Sequence, residues 1–318
     1  MKYKYIFGPV PSRRLGVSLG VDLLKEKICN FNCVYCECGV SNKLFNERKE
    51  YVSINEVLNE IKDYLNKGNY LDFITFSGNG EPALHSKIGY LIKELKKITS
   101  TKICVITNST LLNEKEVREE IMQADIIMPS LDAVSEDIFR KIDRASSKIK
   151  LSDIKDGIKK LSEEYKGKIW LEIFFIEGLN DTKEELDKFI EYLKDIKVDR
   201  IQLNSLDRPA PEKWVKAMSL NRLEEIKDYF SKELKNVEII KKYKNKEDIL
   251  GYTKDIENFI LELIDRRPST FEDMKEILKI QEIELNKYLE YLENNKMIKK
   301  VIENRGIFYK KILTKNND

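Results

Sequence analysis

From Leu15 to about Leu206, short β-branched runs alternate with amphipathic stretches. The runs predict strands over residues 17–23, 73–77, 103–107, 126–131, 169–176 and 200–203. Between them apolar residues return at helical spacing, first Ile54, Val57, Leu58, Ile61 and Leu65, then Ile88, Leu91, Ile92 and Leu95. Ser53 with Glu56, and Thr182 with Glu185, have the spacing of a helix capping box. Strand–helix alternation of this kind implies an α/β fold with a parallel sheet, open or curled into a barrel. Chemistry in such folds gathers at the C-terminal ends of the strands, where the loops converge.

The pattern changes after Leu206. Arg208-Pro209-Ala210-Pro211 reads as a turn or extended segment, because each proline biases its predecessor away from helix. A helix is expected over residues 220–234, then a Lys-rich connector over 241–246. Further helices are expected over 255–266, 271–278 and 282–294, and a hairpin turns at Asn304-Arg305-Gly306. Three helices and a hairpin follow the winged-helix order. The expected division is a barrel over residues 1–218, a helical connector over 219–252 and a winged-helix-like module over 253–318.

Composition narrows the function class. With 42% hydrophobic and 35% charged residues in 318, the chain is neither disordered, nor collagen-like, nor a small disulfide scaffold. Lys plus Arg number 57 against 55 for Asp plus Glu, so the net charge of +2 supplies no global field for gripping nucleic acid. No apolar run approaches 18 residues and the N-terminus carries no signal-peptide pattern, which places the expected location in the cytoplasm. Thiols stay reduced there, so clustered cysteines read as metal-binding or redox groups.

Four of the five cysteines fall between Cys29 and Cys38. Cys29, Cys33 and Cys36 put three thiols on a loop just after the first expected strand, suited to zinc or to an iron–sulfur cluster. A closed zinc site needs four ligands, usually as two separated pairs, and no second pair exists. Three ligands leave one iron of a four-iron cluster open to a substrate or cosubstrate.

With Tyr35 before the third cysteine, this C-x3-C-x2-C run resembles the signature of the radical S-adenosylmethionine (radical SAM) superfamily. The resemblance implies a partial (β/α)6 TIM-type barrel and a [4Fe–4S] cluster whose open iron binds S-adenosylmethionine. It implies reductive cleavage of that cofactor to a 5′-deoxyadenosyl radical that abstracts a substrate hydrogen. An external one-electron donor of flavodoxin or ferredoxin type and anaerobic conditions come with it. Gly78-Asn79-Gly80-Glu81 resembles the family's GGE motif with Asn79 inserted, which assigns Gly78, Gly80 and Glu81 to the methionine amino group. By the same resemblance Asn108, Ser130 and Asp132 are polar contacts to the cofactor's ribose and carboxylate, and Gly178 lies in the segment against adenine. A narrower likeness, to a wyosine-base-synthase-like branch, rests on residues 8–16, 78–82 and 204–209. It departs at Glu37-Cys38, where true wyosine synthases carry tryptophan-arginine, so no substrate is inherited from it.

The remaining chemistry-bearing residues have plainer expectations. Cys38 is expected to be an incidental thiol beside the cluster, Cys104 core packing, and the lone His85 a loop-surface residue. Arg13, Arg14 and Arg208 are candidates either for binding an anion at the barrel mouth or for pinning the N-terminal segment. In the module the third helix is acidic, with Glu282, Glu284, Glu290 and Glu293 against Lys287. The hairpin is basic, with Lys299, Lys300, Arg305, Lys310 and Lys311. Such a helix repels phosphate and such a wing attracts it. The wing suits RNA backbone, an acidic peptide leader or another protein, and a module that simply packs on the barrel is the plainer reading; the favoured substrate is macromolecular, RNA ahead of peptide. The alternatives are a peptide-modifying enzyme, a glycyl-radical activase or, outside enzymes, a zinc-anchored protein-binding module.

Overall fold

The computed structural model describes residues 3–12, 14–24, 26–68, 70–206, 210–240, 256–278 and 282–312. Arg13, Arg208 and the expected Lys-rich connector lie outside the described residues, as do the side chains of Glu282, Glu284 and Lys287. An eight-stranded sheet runs in simple chain order. Its strands are β1 (Ile6–Ser12), β2 (Gly16–Val21), β3 (Phe73–Phe76), β4 (Lys102–Thr107), β5 (Ile126–Pro129), β6 (Lys168–Phe175), β7 (Arg200–Ser205) and β8 (Val237–Ile239). β1 pairs antiparallel with β2, and every later pairing is parallel. The parallel pairing agrees with the expected α/β fold.

Strand alternation sorts the side chains into two layers. Leu19, Ile74, Ile103, Ile127, Leu171 and Leu203 join the main core beneath the helices. Their neighbours Ser18, Thr75, Cys104, Met128, Glu172 and Gln202 take the opposite, inner face. Cys104 is fully buried there in an apolar cluster with Phe73, Ile126, Met128 and Trp170, which agrees with a packing role. The helices covering the outer face are α1 (Ile54–Asn66), α2 (Ile88–Ile98), α3 (Lys115–Ile121), α4 (Glu136–Ile142), α5 (Leu151–Glu164), α6 (Lys183–Leu193) and α7 (Leu220–Ser231).

One strand was not expected, and two sequence expectations need correction. β1 carries Pro9 and Pro11, which argue against a strand, yet it forms because it is the sheet edge, where a missing N–H is tolerated. The Ser53 capping box does not form: Ser53 makes no side-chain cap, and Glu50 accepts from the Ile54 N–H at 2.9 Å instead. At α6, Thr182 does cap the Glu185 N–H, but the Glu185 carboxylate turns to the Val134 and Ser135 amides. Finally, the segment read as a helical connector supplies α7 and β8. Leu223, Ile226, Phe230 and Val237 pack into the main core, so this part extends the barrel.

The C-terminal residues form α8 (Ile256–Arg266), β9 (Ser269–Thr270), α9 (Phe271–Leu278), α10 (Glu282–Asn294), β10 (Ile298–Glu303) and β11 (Gly306–Lys311). Their sheet has the order β10-β11-β9, with the two-residue stretch β9 unexpected from sequence. Ile260, Ile264, Met274, Leu285, Leu289 and Leu292 make a small core separate from that of the barrel.

Candidate active site

The cysteine loop leaves the end of β2 and closes against the loops after β4 and β5. The Val34 N–H donates to the Ile142 carbonyl at 2.9 Å and the Asn32 N–H to the Asp143 carbonyl at 2.9 Å. Tyr35 stacks on Phe174 with ring centroids 3.8 Å apart and planes 8° off parallel. These contacts hold Cys33, Tyr35, Asn108, Ser130 and Asp132 around one cavity of about 40 Å³, so five of the expected site residues meet.

Each thiol has a distinct environment. Cys29 accepts from the Phe31 N–H at 3.4 Å and from Asn108 Nδ2 at 3.5 Å, and burial pushes its thiol up to about 12. Cys33 donates to Asp143 Oδ1 at 3.3 Å; burial first, then the nearby Asp143 charge, hold its thiol well above the usual range. Cys36 goes the other way, to about 6, because of its hydrogen bond with Cys38 and the nearby Lys27, against the opposing effect of burial. Cys38 is therefore more than a neighbour, since it also reaches the Gly78 carbonyl at 3.2 Å.

Among the described residues, no group of three or more His, Cys, Asp or Glu converges closely enough to hold one metal ion. A structural zinc needs that convergence. A four-iron cluster does not, since each cysteine meets a different iron, and three thiols on one short loop fit it. Loading it requires the thiols to ionise, so binding releases protons.

Buried carboxylates surround the thiols. Glu81 is 1% exposed and caps the 3-10 turn Pro82–Leu84, accepting from the Ala83 N–H at 2.9 Å. It also accepts from Thr107 Oγ1 at 2.8 Å and from the Asn108 N–H at 2.6 Å. Burial raises its carboxyl to about 7 despite those three donors. Glu81 thus ties the β3 and β4 loops together, beside the ammonium contact expected of it. Asp132 accepts from Tyr35 Oη and from the Phe174 N–H, and burial raises it to about 6. Asp143 is raised by burial and by Asp132.

Other expected residues lie apart from this cavity. Asn79 donates to Asp22 Oδ2 at 2.7 Å. Gly78 and Gly80 adopt φ of +136° and +153°, and a Cβ would meet Asp22 Cγ at 2.7 Å or the Ile28 carbonyl at 1.9 Å. Glycine is needed at both for backbone fit. Gly178, at φ +77°, donates its N–H to Asp181 at 2.6 Å, and Asp181 is in turn held by Arg222. His85 is fully buried rather than on the surface: its Nδ1 accepts from the Lys87 N–H, leaving Nε2 to donate to the Val52 carbonyl at 2.9 Å. Arg14 pairs with Glu172 on the inner face of the barrel.

Sequence reading missed Asn30, Asp143 and Asp22. Asn30 is fully buried and accepts from Asn108 Nδ2 at 2.8 Å while donating to Thr110. Its place inside the cysteine run was a usable signal. Asp143 and Asp22 carry none, because their partners come from distant loops.

Comparison with known proteins decides the family. The model of the Radical SAM superfamily matches residues 27–193. The chain belongs to the radical SAM superfamily. It is an enzyme, and the superfamily's cofactors, a [4Fe–4S] cluster and S-adenosylmethionine, are those it uses. Among relatives, a UPF0026 protein of Methanocaldococcus jannaschii is 29% identical over 316 residues, covering 98% of each chain. A Brachyspira hyodysenteriae protein named GTPase Obg is 39% identical over 230 residues, 72% of this chain but only 34% of that protein's length. A probable dual-specificity RNA methyltransferase of Flavobacterium psychrophilum is 26% identical over 213 residues, 61% of this chain and 60% of the relative. In structure, a radical SAM methyltransferase from Sphaerobacter thermophilus superposes with a TM-score of 0.56 at 15% identity, covering 70% of this chain and 65% of that one. That likeness is one of fold. Among the described residues, no helix of this radical SAM protein is long and apolar enough to cross a membrane.

Proposed function

We propose that the chain abstracts hydrogen from an RNA substrate, using Cys29, Cys33 and Cys36 as cluster ligands and the neighbouring rim residues to seat S-adenosylmethionine. When bound, the reduced cluster would supply the electron that cleaves the sulfonium of S-adenosylmethionine to methionine and a 5′-deoxyadenosyl radical. The observation that carries the reading is the meeting of Cys33, Tyr35, Asn108, Ser130 and Asp132 around one cavity at the strand ends. Asn108 and Asp143 orient Cys29 and Cys33 by hydrogen bonds to sulfur, as partners of metal ligands do. Asp132 fixes the Tyr35 ring against Phe174, shielding the cluster side of the loop from water. The electron is taken from a flavodoxin- or ferredoxin-type donor.

RNA is favoured by two observations. The F. psychrophilum relative is named an RNA methyltransferase. The module, which we read as winged-helix-like, sets Lys299 directly across from Lys310 in the β10–β11 ladder. Opposed like charges destabilise a strand pair, and a phosphate between them relieves the cost. The other wing cations are engaged, Lys300 by Glu293, Lys311 by Asp265 and Arg305 by Asp273. Anaerobic reconstitution tests the chemistry: iron with charge-transfer absorbance and dithionite-dependent 5′-deoxyadenosine is the expected result. Stoichiometric zinc with no cofactor cleavage overturns it. RNA copurifying with the chain, and modified by it, is the expected substrate result.

A further inference from the structure

Two adjacent arginines end α8, and each reaches a different cofactor loop. Arg266 places Nη1 3.4 Å from Asp22 Oδ2 and lays its guanidinium over the Phe7 ring, 4.3 Å from the centroid. The Asp22 carboxylate side chain is only 3% exposed. It also accepts from the Leu24 N–H at 3.0 Å and from Asn79 Nδ2 at 2.7 Å, so Arg266 is one step from the glycine-rich loop. Arg267 places Nε 3.6 Å from Glu37 Oε2, between Cys36 and Cys38 in the cysteine loop. The two loops also touch one another, through the Cys38 thiol and the Gly78 carbonyl. Phe7 is wedged in turn against Gly20, where a Cβ would lie 2.2 Å from the ring.

These arginines also face a cavity of about 560 Å³ between the barrel and the module. Ser18, Thr75 and Ser77 line it from the inner face of the barrel, and Phe259, Glu276 and Tyr309 from the module. That volume is of ligand size.

We propose that Arg266 and Arg267 are positioning residues through which the C-terminal module holds the glycine-rich and cysteine loops in register. This rests on the radical SAM reading. The energetic logic is asymmetric. Truncating Arg266 leaves a buried carboxylate without that cation, which costs more than the pair contributes. Arg267 and Glu37 are partly exposed, and their contact is the weaker tie.

Hydrogen exchange on the full-length chain without iron tests the link directly. In the wild type, the Cys36 and Gly39 amides are bonded within the cysteine loop, while the Ser77 and Glu81 amides donate to the Val21 and Ile28 carbonyls. Arg266→Ala with Arg267→Ala is expected to speed exchange in peptides covering residues 28–39 and 77–81 about fivefold or more, while β4 to β7 stay unchanged. Unaltered exchange in both loops overturns the proposal. Arg267→Glu is expected to loosen residues 36–39, and pairing it with Glu37→Arg to restore them; no loosening in the single variant overturns the Arg267 contact. After reconstitution, the double alanine variant is expected to keep its iron yet bind S-adenosylmethionine about tenfold more weakly, read from the change in the reduced cluster's EPR signal. A wild-type chain that takes up no cluster overturns the radical SAM reading, while the exchange contrast still decides whether the module holds the loops.

Discussion

At the barrel rim, Glu81, Asp132 and Asp143 are 1%, 4% and 3% exposed, and their carboxyls take hydrogen bonds from loops far along the chain. In the C-terminal module the ion pairs sit at the surface, Lys300 with Glu293 at 2.7 Å and Lys311 with Asp265 at 2.9 Å. Burial raises the rim carboxyls above the usual carboxylate range, and their hydrogen bonds fix their geometry. Solvent makes such pairs nearly neutral for stability. In the proposed function the rim positions a small charged cofactor and the wing contacts RNA.

The largest effect belongs to the rim. Cys33→Ala is expected to abolish dithionite-dependent 5′-deoxyadenosine and to lower reconstituted iron; full activity in that variant removes the assigned cluster. Next comes the small module core. Leu289 is 2% exposed, and Leu289→Ala should cost about 3 kcal/mol. A differential scan should show the module melting earlier while iron uptake by the barrel persists. A single unshifted transition contradicts two separate cores.

A pH test follows. Glu81 has its carboxyl raised from 4.5 to about 7, so the native state retains a proton that the unfolded chain has released. Its contribution to stability is full below about pH 4.5 and is lost as pH rises towards 7. In the unloaded protein Glu81→Gln should flatten the fall in melting temperature across that window, and an unchanged slope refutes the assignment. The smallest structural effect is expected at the wing. Lys299→Gln with Lys310→Gln should leave stability within about 0.5 kcal/mol and reduce the salt dependence of RNA binding by about two charges. RNA affinity that does not change removes the wing from recognition.

Much of the barrel was legible because a strand's period of two and a helix's 3.6 are local properties. The cysteine run was legible for the same reason, since three ligands within eight residues need no tertiary information. β1 was not, because Pro9 and Pro11 are compatible with a strand only at an edge, and edges are a property of the whole sheet. The capping box at Ser53 failed where Glu50 offered a competing acceptor. His85 was misplaced because nothing in its neighbours along the chain announces the Val52 carbonyl that satisfies it.

Residue order alone therefore determined the α/β architecture, the three thiols and the glycine-rich loop that follows the second parallel-sheet strand. Tertiary structure decided which buried groups complete them. Asn108 meets Cys29 from 79 positions away, Asp143 meets Cys33 from 110, and Arg266 meets Asp22 from 244. The physical reason is the cost of burying a polar group without a partner. It demands a mate for each such group, but only the packing of strand ends and module settles which one arrives.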